Sequence, residues 1–236
     1  MTAVRHTSEP HPGAAVFTLG GQRFEALPSG ALWWPGQRLL AVADLHLGRA
    51  ERTARLGSGL IPPYETLDTL ARLDVEIART DPAAVLSLGD AFDDAQAARA
   101  LSPEARNRLE AMVRERRWLW VAGNHDPGGN GLGECAKEIE IAGITFRHEA
   151  VLGASAPEVS AHYHPKATLR HRGQRIVRRC FFVGGARAIL PAFGTFTGGL
   201  DVGAAALARF ASTNTRVLLT GERITALPFA RVARRG

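Results

Sequence analysis

The stretch Leu40-Ala41-Val42-Ala43-Asp44-Leu45-His46-Leu47-Gly48 decides how the chain is organised. An apolar run typical of a buried strand leads into an aspartate and a histidine two positions apart, followed by a glycine that allows a turn. If the extended conformation continues to His46, the side chains of Asp44 and His46 point to the same face. The pattern predicts a strand whose end presents two candidate metal ligands.

The residues after this strand predict a crossover unit. Residues 49–62 show no clear period and are predicted to form a loop, while the apolar stripe over 64–80, opened by two prolines, predicts an amphipathic helix. A buried-type strand follows at 83–88 and ends in Gly89-Asp90. A strand, a helix and a second strand in this order are typical of an α/β sheet.

The same pattern occurs a second time. Ser102 and Pro103 predict the start of a helix that continues to about Glu115, because serine is a common N-cap and proline fits the first helical turn. A strand over 118–122 then ends in Gly123-Asn124-His125-Asp126. Ligands of open α/β sheets bind beyond the carboxyl ends of the strands, so we expect the three polar strand ends to converge on one site.

The second half of the chain has shorter strand-like runs separated by turn signals, which predict a mostly antiparallel sheet. The runs cover residues 138–141, 144–147, 158–162, 174–183 and 216–219, with one helical candidate at 204–210. Near the start, a Gly20-Gly21 turn predicts a hairpin. We therefore predict a flexible N-terminal arm at 1–13 and one α/β domain over 14–236, in which two sheets pack together.

The composition restricts the class of protein. The 236 residues include 29 basic and 23 acidic side chains, and almost all of the basic ones are arginines, whose planar guanidinium binds phosphate oxygens in a bidentate way. A compositional bias of the host genome would also explain why arginine is so much more frequent than lysine. Cys135 and Cys180 are too few for a disulfide framework. Because the chain has neither a signal-peptide segment nor an apolar stretch of membrane-spanning length, we expect it to be cytoplasmic.

The candidate site residues share a position at or near the end of a predicted strand. They are Asp44, His46, Asp90, Asn124, His125, Asp126, His148, His162 and His164. Mixed carboxylate and imidazole ligands are typical of Mn²⁺, Fe or Zn²⁺ sites, and this set is larger than one ion needs. A carboxylate such as Asp90 can bridge two ions about 3.5 to 4 Å apart. The set predicts hydrolysis of a phosphate ester by hydroxide held at a dinuclear metal centre.

Five motifs in this order resemble those of the calcineurin-like metallophosphoesterase superfamily: D-x-H, G-D, G-N-H-D, a separate histidine and H-x-H. Within it, the segments DLHLGR, GNHDP, AHYHP and LPAFGTFTGG resemble the ligase-associated DNA-damage-response endonucleases of bacteria. The resemblance covers residues 15–228. It implies an α/β fold, a four-layer α/β/β/α sandwich of two mixed sheets, with a dinuclear site and manganese as the expected metal.

The resemblance also implies roles for individual residues. One ion would be held by Asp44, His46 and His164. The second would be held by Asn124, His148 and His162, with Asp90 as the bridge between the two ions. His125 would protonate the leaving oxygen or stabilise the transition state, and Asp126 would orient it. The implied partners are DNA, an ATP-dependent DNA ligase and a helicase.

Two positions depart from the family pattern. The glycine that usually precedes H-x-H is Ala161, which is compatible with the motif if its φ is negative. Relatives often carry a histidine shortly after G-D, where this chain has Asp93-Asp94, a difference that affects a substrate contact rather than a metal ligand. Arg49 and Arg187 are candidate phosphate contacts, although exposed arginines are usually solvated.

The predicted function is a metal-dependent phosphodiesterase that acts as a DNA endonuclease in repair. Two alternatives stay open. A small-molecule phosphoesterase, acting on nucleotides or cyclic nucleotides, would have a deep narrow pocket, whereas an enzyme acting on DNA would have an open basic groove. A non-catalytic scaffold with the same fold would be expected to have lost His125 or several ligands, and this chain keeps them.

Overall fold

The computed structural model describes residues 9–127, 132–154 and 156–233 of the chain. Within them, two β-sheets pack face to face and helices lie on both outer faces. The predicted four-layer α/β/β/α sandwich is therefore confirmed. In this part of the chain, no helix combines the length and the apolar character that crossing a membrane requires.

The first sheet contains seven strands that follow one another across the sheet in chain order. They are β1 (Ala15–Leu19), β2 (Gln22–Ala26), β3 (Leu32–Trp34), β4 (Leu39–Val42), β5 (Ala84–Leu88), β6 (Arg117–Val121) and β7 (Glu134–Ala136). Strands β1 to β4 pair antiparallel, and the predicted hairpin joins β1 to β2. Strands β4 to β7 run parallel, so their carboxyl ends meet at one edge of the sheet.

The second sheet is formed by the later part of the chain. Its strands are β8 (Glu138–Ile141), β9 (Ile144–Arg147), β10 (Glu158–Ser160), β11 (Lys166–His171), β12 (Gln174–Gly184), β13 (Arg187–Ile189), β14 (Arg216–Leu219) and β15 (Thr225–Pro228). Their order across the sheet is β15-β14-β12-β13-β10-β9-β8, and β11 pairs with β12. Most neighbours are antiparallel, as predicted, but β10 runs parallel to both β9 and β13.

The helices and the core follow the apolar pattern. The described residues contain α1 (Arg49–Arg55), α2 (Glu65–Thr80), α3 (Ala95–Arg99), α4 (Pro103–Glu115), α5 (Ala205–Ala208) and α6 (Phe229–Ala233). Leu70 of α2 and Leu109 of α4 pack on the first sheet, and Leu207 of α5 packs on the second. Between the sheets, the rings of Trp34 and Phe146 stack with their centroids 6.0 Å apart. The main core thus lies where the two sheets face each other.

Three local features differ from the sequence predictions or add to them. Helix α1 occupies part of the predicted loop at 49–62, and it has no buried residue, so it lacks the apolar stripe that reveals a helix. The later part of the chain also contributes β7 to the first sheet. Of the predicted arm, residues 1–8 lie outside the described residues. Next to them, His11 donates its backbone N–H to Oε2 of Glu25 at 3.0 Å.

Candidate metal centre

All seven candidate metal ligands lie in loops that follow strands with a parallel neighbour. In the first sheet, Asp44, Asp90 and Asn124 lie two or three residues beyond β4, β5 and β6. In the second sheet, His148 directly follows β9, and His162 lies two residues beyond β10. The remaining two, His46 and His164, come two residues later in the first and last of these loops. Since the two sheets face each other, their loops meet at one edge of the sandwich.

The backbone at five of these ligands is left-handed rather than extended. The φ angles are 50° at Asp44, 46° at His46, 45° at Asp90, 67° at His162 and 45° at His164. The extended conformation does not continue to His46, because β4 ends at Val42, and a curled loop instead brings the side chains of Asp44 and His46 to one site. Such backbone strain is typical of functional sites. The φ angle of Ala161 is not positive, so alanine can take the place of the usual glycine.

The first ligand group consists of Asp44, His46 and His164. Nε2 of His164 lies 3.4 Å from Nε2 of His46 and 3.3 Å from Oδ1 of Asp44. Ligand atoms about 2.1 Å from an ion are roughly 3.0 to 3.4 Å apart in octahedral or tetrahedral geometry. The three atoms therefore surround a position that suits one ion.

The second ligand group contains Asn124, His148 and His162. Oδ1 of Asn124 lies 3.0 Å from both Nε2 of His148 and Nδ1 of His162, and these two nitrogens are 3.2 Å apart. Oδ2 of Asp90 lies 3.3 Å from Nε2 of His148 and 4.0 Å from Nε2 of His46. Asp90 thus stands between the two groups, where the resemblance places the bridging ligand.

Carboxylates and imidazoles at the site shift one another's pKa values. Burial opposes the charge of Asp90, but the hydrogen bond and charge of His148, together with the N–H of His125, outweigh it and lower the pKa of this carboxyl well below its usual range. Burial also opposes the charge of His148, yet Asp90 and Asp44 raise its pKa to about 9. The pKa of His162 is lowered by burial and by the charge of His148. The carboxylates therefore favour a positive charge between them.

Contacts behind the ligands fix which ring nitrogen of two histidines faces the site. Nδ1 of His148 lies 3.0 Å from the carbonyl oxygen of Leu88, and Nδ1 of His46 lies 2.8 Å from Oδ1 of Asp93. With the proton on Nδ1, each ring has Nε2 free to bind a metal. Burial would raise the pKa of Asp93, but His46 and nearby arginines outweigh burial and lower it. Analysis of the sequence identified Asp93 only as a departure from the family pattern. It did not predict that Asp93 contacts His46.

His125 lies beside the first group, with its ring edge-on to that of His46 and the centroids 5.0 Å apart. Its Nδ1 lies 2.7 Å from the carbonyl oxygen of Asp93, so Nε2 is the nitrogen available for proton transfer. Asp126 does not take the expected role of orienting His125. Its carboxylate instead accepts hydrogen bonds from the backbone N–H groups of residues 90, 91, 92 and 123. Asp126 therefore fixes the loop that carries Asp90, and burial raises its pKa.

The two candidate phosphate contacts lie in different surroundings. Arg49 begins α1 next to the first group, and its Nη1 lies 3.2 Å from Oδ1 of Asp93, while its buried Nε has no hydrogen-bond partner. Nε of Arg187 instead lies 2.9 Å from Oε1 of Glu158, and its Nη2 donates to the carbonyl oxygen of Val151. The structure therefore places Arg49 at the site, whereas the guanidinium of Arg187 is paired with Glu158.

An open cleft of about 410 Å³ lies against the second group. Three candidate ligands line it together with four charged side chains, which are Lys137, Glu138, Arg147 and Glu149. Asn124 and Lys137 are exposed, so the cleft opens to solvent along this side. Nη2 of Arg147 lies 3.1 Å from Oε2 of Glu138, so the cleft presents basic and acidic side chains together beside the candidate ligands.

The donor set fits divalent cations. Oδ1 of Asp44 is buried and has no hydrogen-bond partner, and its closest ring nitrogen, Nε2 of His164, belongs to the same ligand group. A buried carboxylate oxygen without a donor is unfavourable unless a cation satisfies it. Carboxylate, amide and imidazole donors together suit first-row transition metals. The two groups, with Asp90 between them, are chemically suited to two such ions.

Comparison with known proteins identifies the family of the chain. The family model of the calcineurin-like phosphoesterases matches residues 37–187. The chain belongs to the calcineurin-like phosphoesterase family. The crystal structure of Pseudomonas putida nuclease MPE has a TM-score of 0.74 and 30% identity to this chain, and the match covers 91% of this chain and 100% of that one. A search of the curated proteins gives no match.

A second solved structure is more distant. It is a conserved uncharacterized protein, a predicted phosphoesterase, from Streptococcus pneumoniae, with 11% identity and a TM-score of 0.33 over 80% of this chain and 96% of that one. This similarity is too low to support a conclusion. Family membership itself identifies the protein as a phosphoesterase, a hydrolase of a family that binds divalent metals, and the candidate ligands cluster accordingly.

Proposed function

We propose that this phosphoesterase is a DNA endonuclease that hydrolyses phosphodiester bonds at a dinuclear metal centre. The observation that carries the proposal is the pair of ligand groups on either side of Asp90, the second of which lines an open cleft. The similarity to a nuclease, at 30% identity over 91% of the chain, supports the same class of substrate.

Each part of the site has a task in this proposal. Two bound divalent ions would neutralise the phosphodiester charge and lower the pKa of a water molecule. The low pKa of Asp90 keeps its carboxylate ionised at neutral pH, as a bridging ligand requires. His125, held through Nδ1 by the carbonyl oxygen of Asp93, would donate a proton from Nε2 to the leaving oxygen.

A small-molecule phosphoesterase is the second candidate, because it would use the same metal centre. Sites for small molecules typically enclose 70–90% of the ligand surface, whereas the cleft at His162 is open and contains exposed side chains. Two further cavities among the described residues, of about 450 and 460 Å³, are lined by none of the candidate ligands. A non-catalytic scaffold is less well supported, since the ligand set and His125 are complete.

Manganese and a role in DNA repair are the finer parts of the proposal. Mn²⁺ accepts mixed oxygen and imidazole donors, with Fe and Zn²⁺ as alternatives. The segments DLHLGR, GNHDP, AHYHP and LPAFGTFTGG support repair work of the ligase-associated kind. An ATP-dependent DNA ligase and a helicase would then be partners in the same cytoplasmic pathway.

The test uses protein reloaded with Mn²⁺ and measures the metal content of the same sample. Plasmid DNA, single-stranded DNA and a panel of small phosphate monoesters and diesters serve as substrates. We expect cleavage of DNA that requires two equivalents of metal and is lost in Asp90→Asn. Hydrolysis of the small esters alone would favour the second candidate, and no hydrolysis by fully loaded protein would refute both.

A further inference from the structure

Two exposed aromatic side chains lie together on the surface, and the chemistry above uses neither. Tyr64 is 56% exposed and Phe196 is 46% exposed, and their rings meet edge to face with centroids 6.1 Å apart. Every other Phe, Tyr and Trp in the described part of the chain is buried or half-buried. We propose that Tyr64 and Phe196 form a stacking platform for an unpaired base of single-stranded DNA. This rests on the DNA endonuclease function proposed above.

The loop that carries Phe196 is fixed by hydrogen bonds. Phe196 has a φ of 60°, a left-handed conformation that disfavours residues with a side chain. Before it, Thr195 donates its N–H to Oγ1 of Thr69 at 2.9 Å and its hydroxyl to Asp68. After it, Thr197 donates its hydroxyl to a backbone carbonyl oxygen. The ring is therefore held outward before a ligand arrives, which reduces the entropy lost on binding.

The same loop is attached to the metal centre on both sides of Phe196. The N–H of Gly194 donates to the carbonyl oxygen of Asp44, and the N–H of Leu200 donates to that of Tyr163, each at 3.2 Å. Consecutive Cα atoms are about 3.8 Å apart, so the Cα of Phe196 lies within about 8 Å of the Cα of Gly194. A single strand that extends from the metal centre along this loop would therefore pass the platform.

Positive side chains lie on the same side of the site. Lys166 donates to the carbonyl oxygen of Thr197 at 3.1 Å. Nη2 of Arg179 donates to the carbonyl oxygen of Gly194 at 2.7 Å, so two cations contact the loop that carries Phe196. Basic side chains that follow the phosphate backbone, next to exposed rings that stack bases, are the combination found in proteins that bind single strands.

An unpaired base fits this surface better than a duplex does. Base faces inside a duplex are covered by their neighbours, whereas an unpaired base can place its face on an aromatic ring. The attachment of the loop to Asp44 and Tyr163 favours a ligand that extends from the metal centre to the rings, as a strand of DNA does. A protein that docked on Tyr64 and Phe196 would not need that continuity.

The test uses the Mn²⁺-loaded full chain and two single-stranded oligonucleotides of equal length, one normal and one with tetrahydrofuran residues in place of the nucleosides. We expect kcat/KM to be about tenfold higher for the normal strand, because stacking of one base contributes a factor of this order. Phe196→Leu and Tyr64→Leu should lose the preference and keep the rate on the base-free strand. Phe196→Trp should retain it. Val75→Ala, which shortens a side chain that is 63% exposed on α2, is the matched control.

A strand that contains 2-aminopurine gives a spectroscopic readout, because its fluorescence falls when the base stacks. The wild type and Phe196→Trp should quench it, and Phe196→Leu should not. Equal rates of the wild type on the two oligonucleotides, or an unchanged preference in Phe196→Leu, would overturn the platform and leave the endonuclease function intact. A wild type that hydrolyses small diesters but no DNA would overturn the proposed function and the platform together.

Discussion

Nδ1 of His46 lies 2.8 Å from Oδ1 of Asp93, and the same carboxylate lies 3.2 Å from guanidinium nitrogens of Arg49 and Arg52. A carboxylate behind a metal-binding histidine orients the ring and raises its basicity. We expect Asp93→Asn to weaken Mn²⁺ binding by about 10- to 100-fold, because the amide keeps the shape and loses the charge. Isothermal titration calorimetry measures this change.

The neighbouring carboxylate supplies the control for this prediction. Asp94 pairs with Arg52 and Arg55 and caps α3 by accepting a hydrogen bond from the N–H of Ala97. Since asparagine is also a good N-cap, Asp94→Asn should bind Mn²⁺ as the wild type does. Equal affinities of the two variants would mean that Asp93 does not orient His46.

A His125→Ala variant separates proton donation from metal binding. His125 is not among the seven ligands, so we expect full metal content together with a loss of DNA cleavage of about 10²- to 10⁴-fold. Hydrolysis of bis-p-nitrophenyl phosphate should fall much less, because nitrophenolate leaves without a proton. The ratio of the two rates is the measurement. An equal loss on both substrates would assign His125 to transition-state stabilisation instead.

Gly194 and Gly198 form a matched pair for testing how the loop contacts the site. A Cβ on Gly194 would lie 2.1 Å from the carbonyl oxygen of Leu45 and 3.0 Å from that of Asp44. Both contacts are with backbone, so we expect Gly194→Ala to displace the Asp44 loop, to destabilise the fold by about 1–3 kcal/mol and to weaken metal binding. A Cβ on Gly198 meets nothing within 4 Å, so Gly198→Ala should match the wild type in both thermal melting and metal titration.

The stability of the protein should depend on pH through Glu65. This side chain is 1% exposed, and burial raises its pKa. Oε1 accepts hydrogen bonds from Ala50 and Thr66, whereas Oε2 has no partner. A carboxyl whose pKa is higher in the folded state favours folding at low pH, and this contribution is lost as pH rises through the folded value.

Glu65→Gln removes this dependence. At pH 7 we expect the variant to have a free energy of unfolding higher than that of the wild type by on the order of 1 kcal/mol, because no charge is buried. Near pH 4 the difference should shrink, since the wild-type carboxyl is then largely protonated in both states. Urea denaturation at the two pH values provides the measurement. A difference that does not change with pH would point to altered packing.

Local signals in the sequence were sufficient for the fold class and for finding candidate ligands that the structure brings together. Ser102 caps α4 by accepting a hydrogen bond from the N–H of Ala105, as predicted, because a cap depends only on residues within one turn. The contacts of Asp126 were not predicted, since they join loops that are distant in sequence. The same holds for Tyr64 and Phe196, which become neighbours only when α2 packs beside the loop after β13.

Left-handed backbone at the candidate ligands lowers the stability of the fold while it positions their side chains. The residues concerned are Asp44, His46, Asp90, His162 and His164. Each left-handed histidine costs about 1–2 kcal/mol relative to a relaxed conformation, and each aspartate costs less, while the net stability of a domain is only about 5–15 kcal/mol. Glycine at any one of these positions would relieve the strain and remove a ligand. Selection of variants for heat resistance alone, without a requirement for activity, should therefore accumulate glycine substitutions at these five positions.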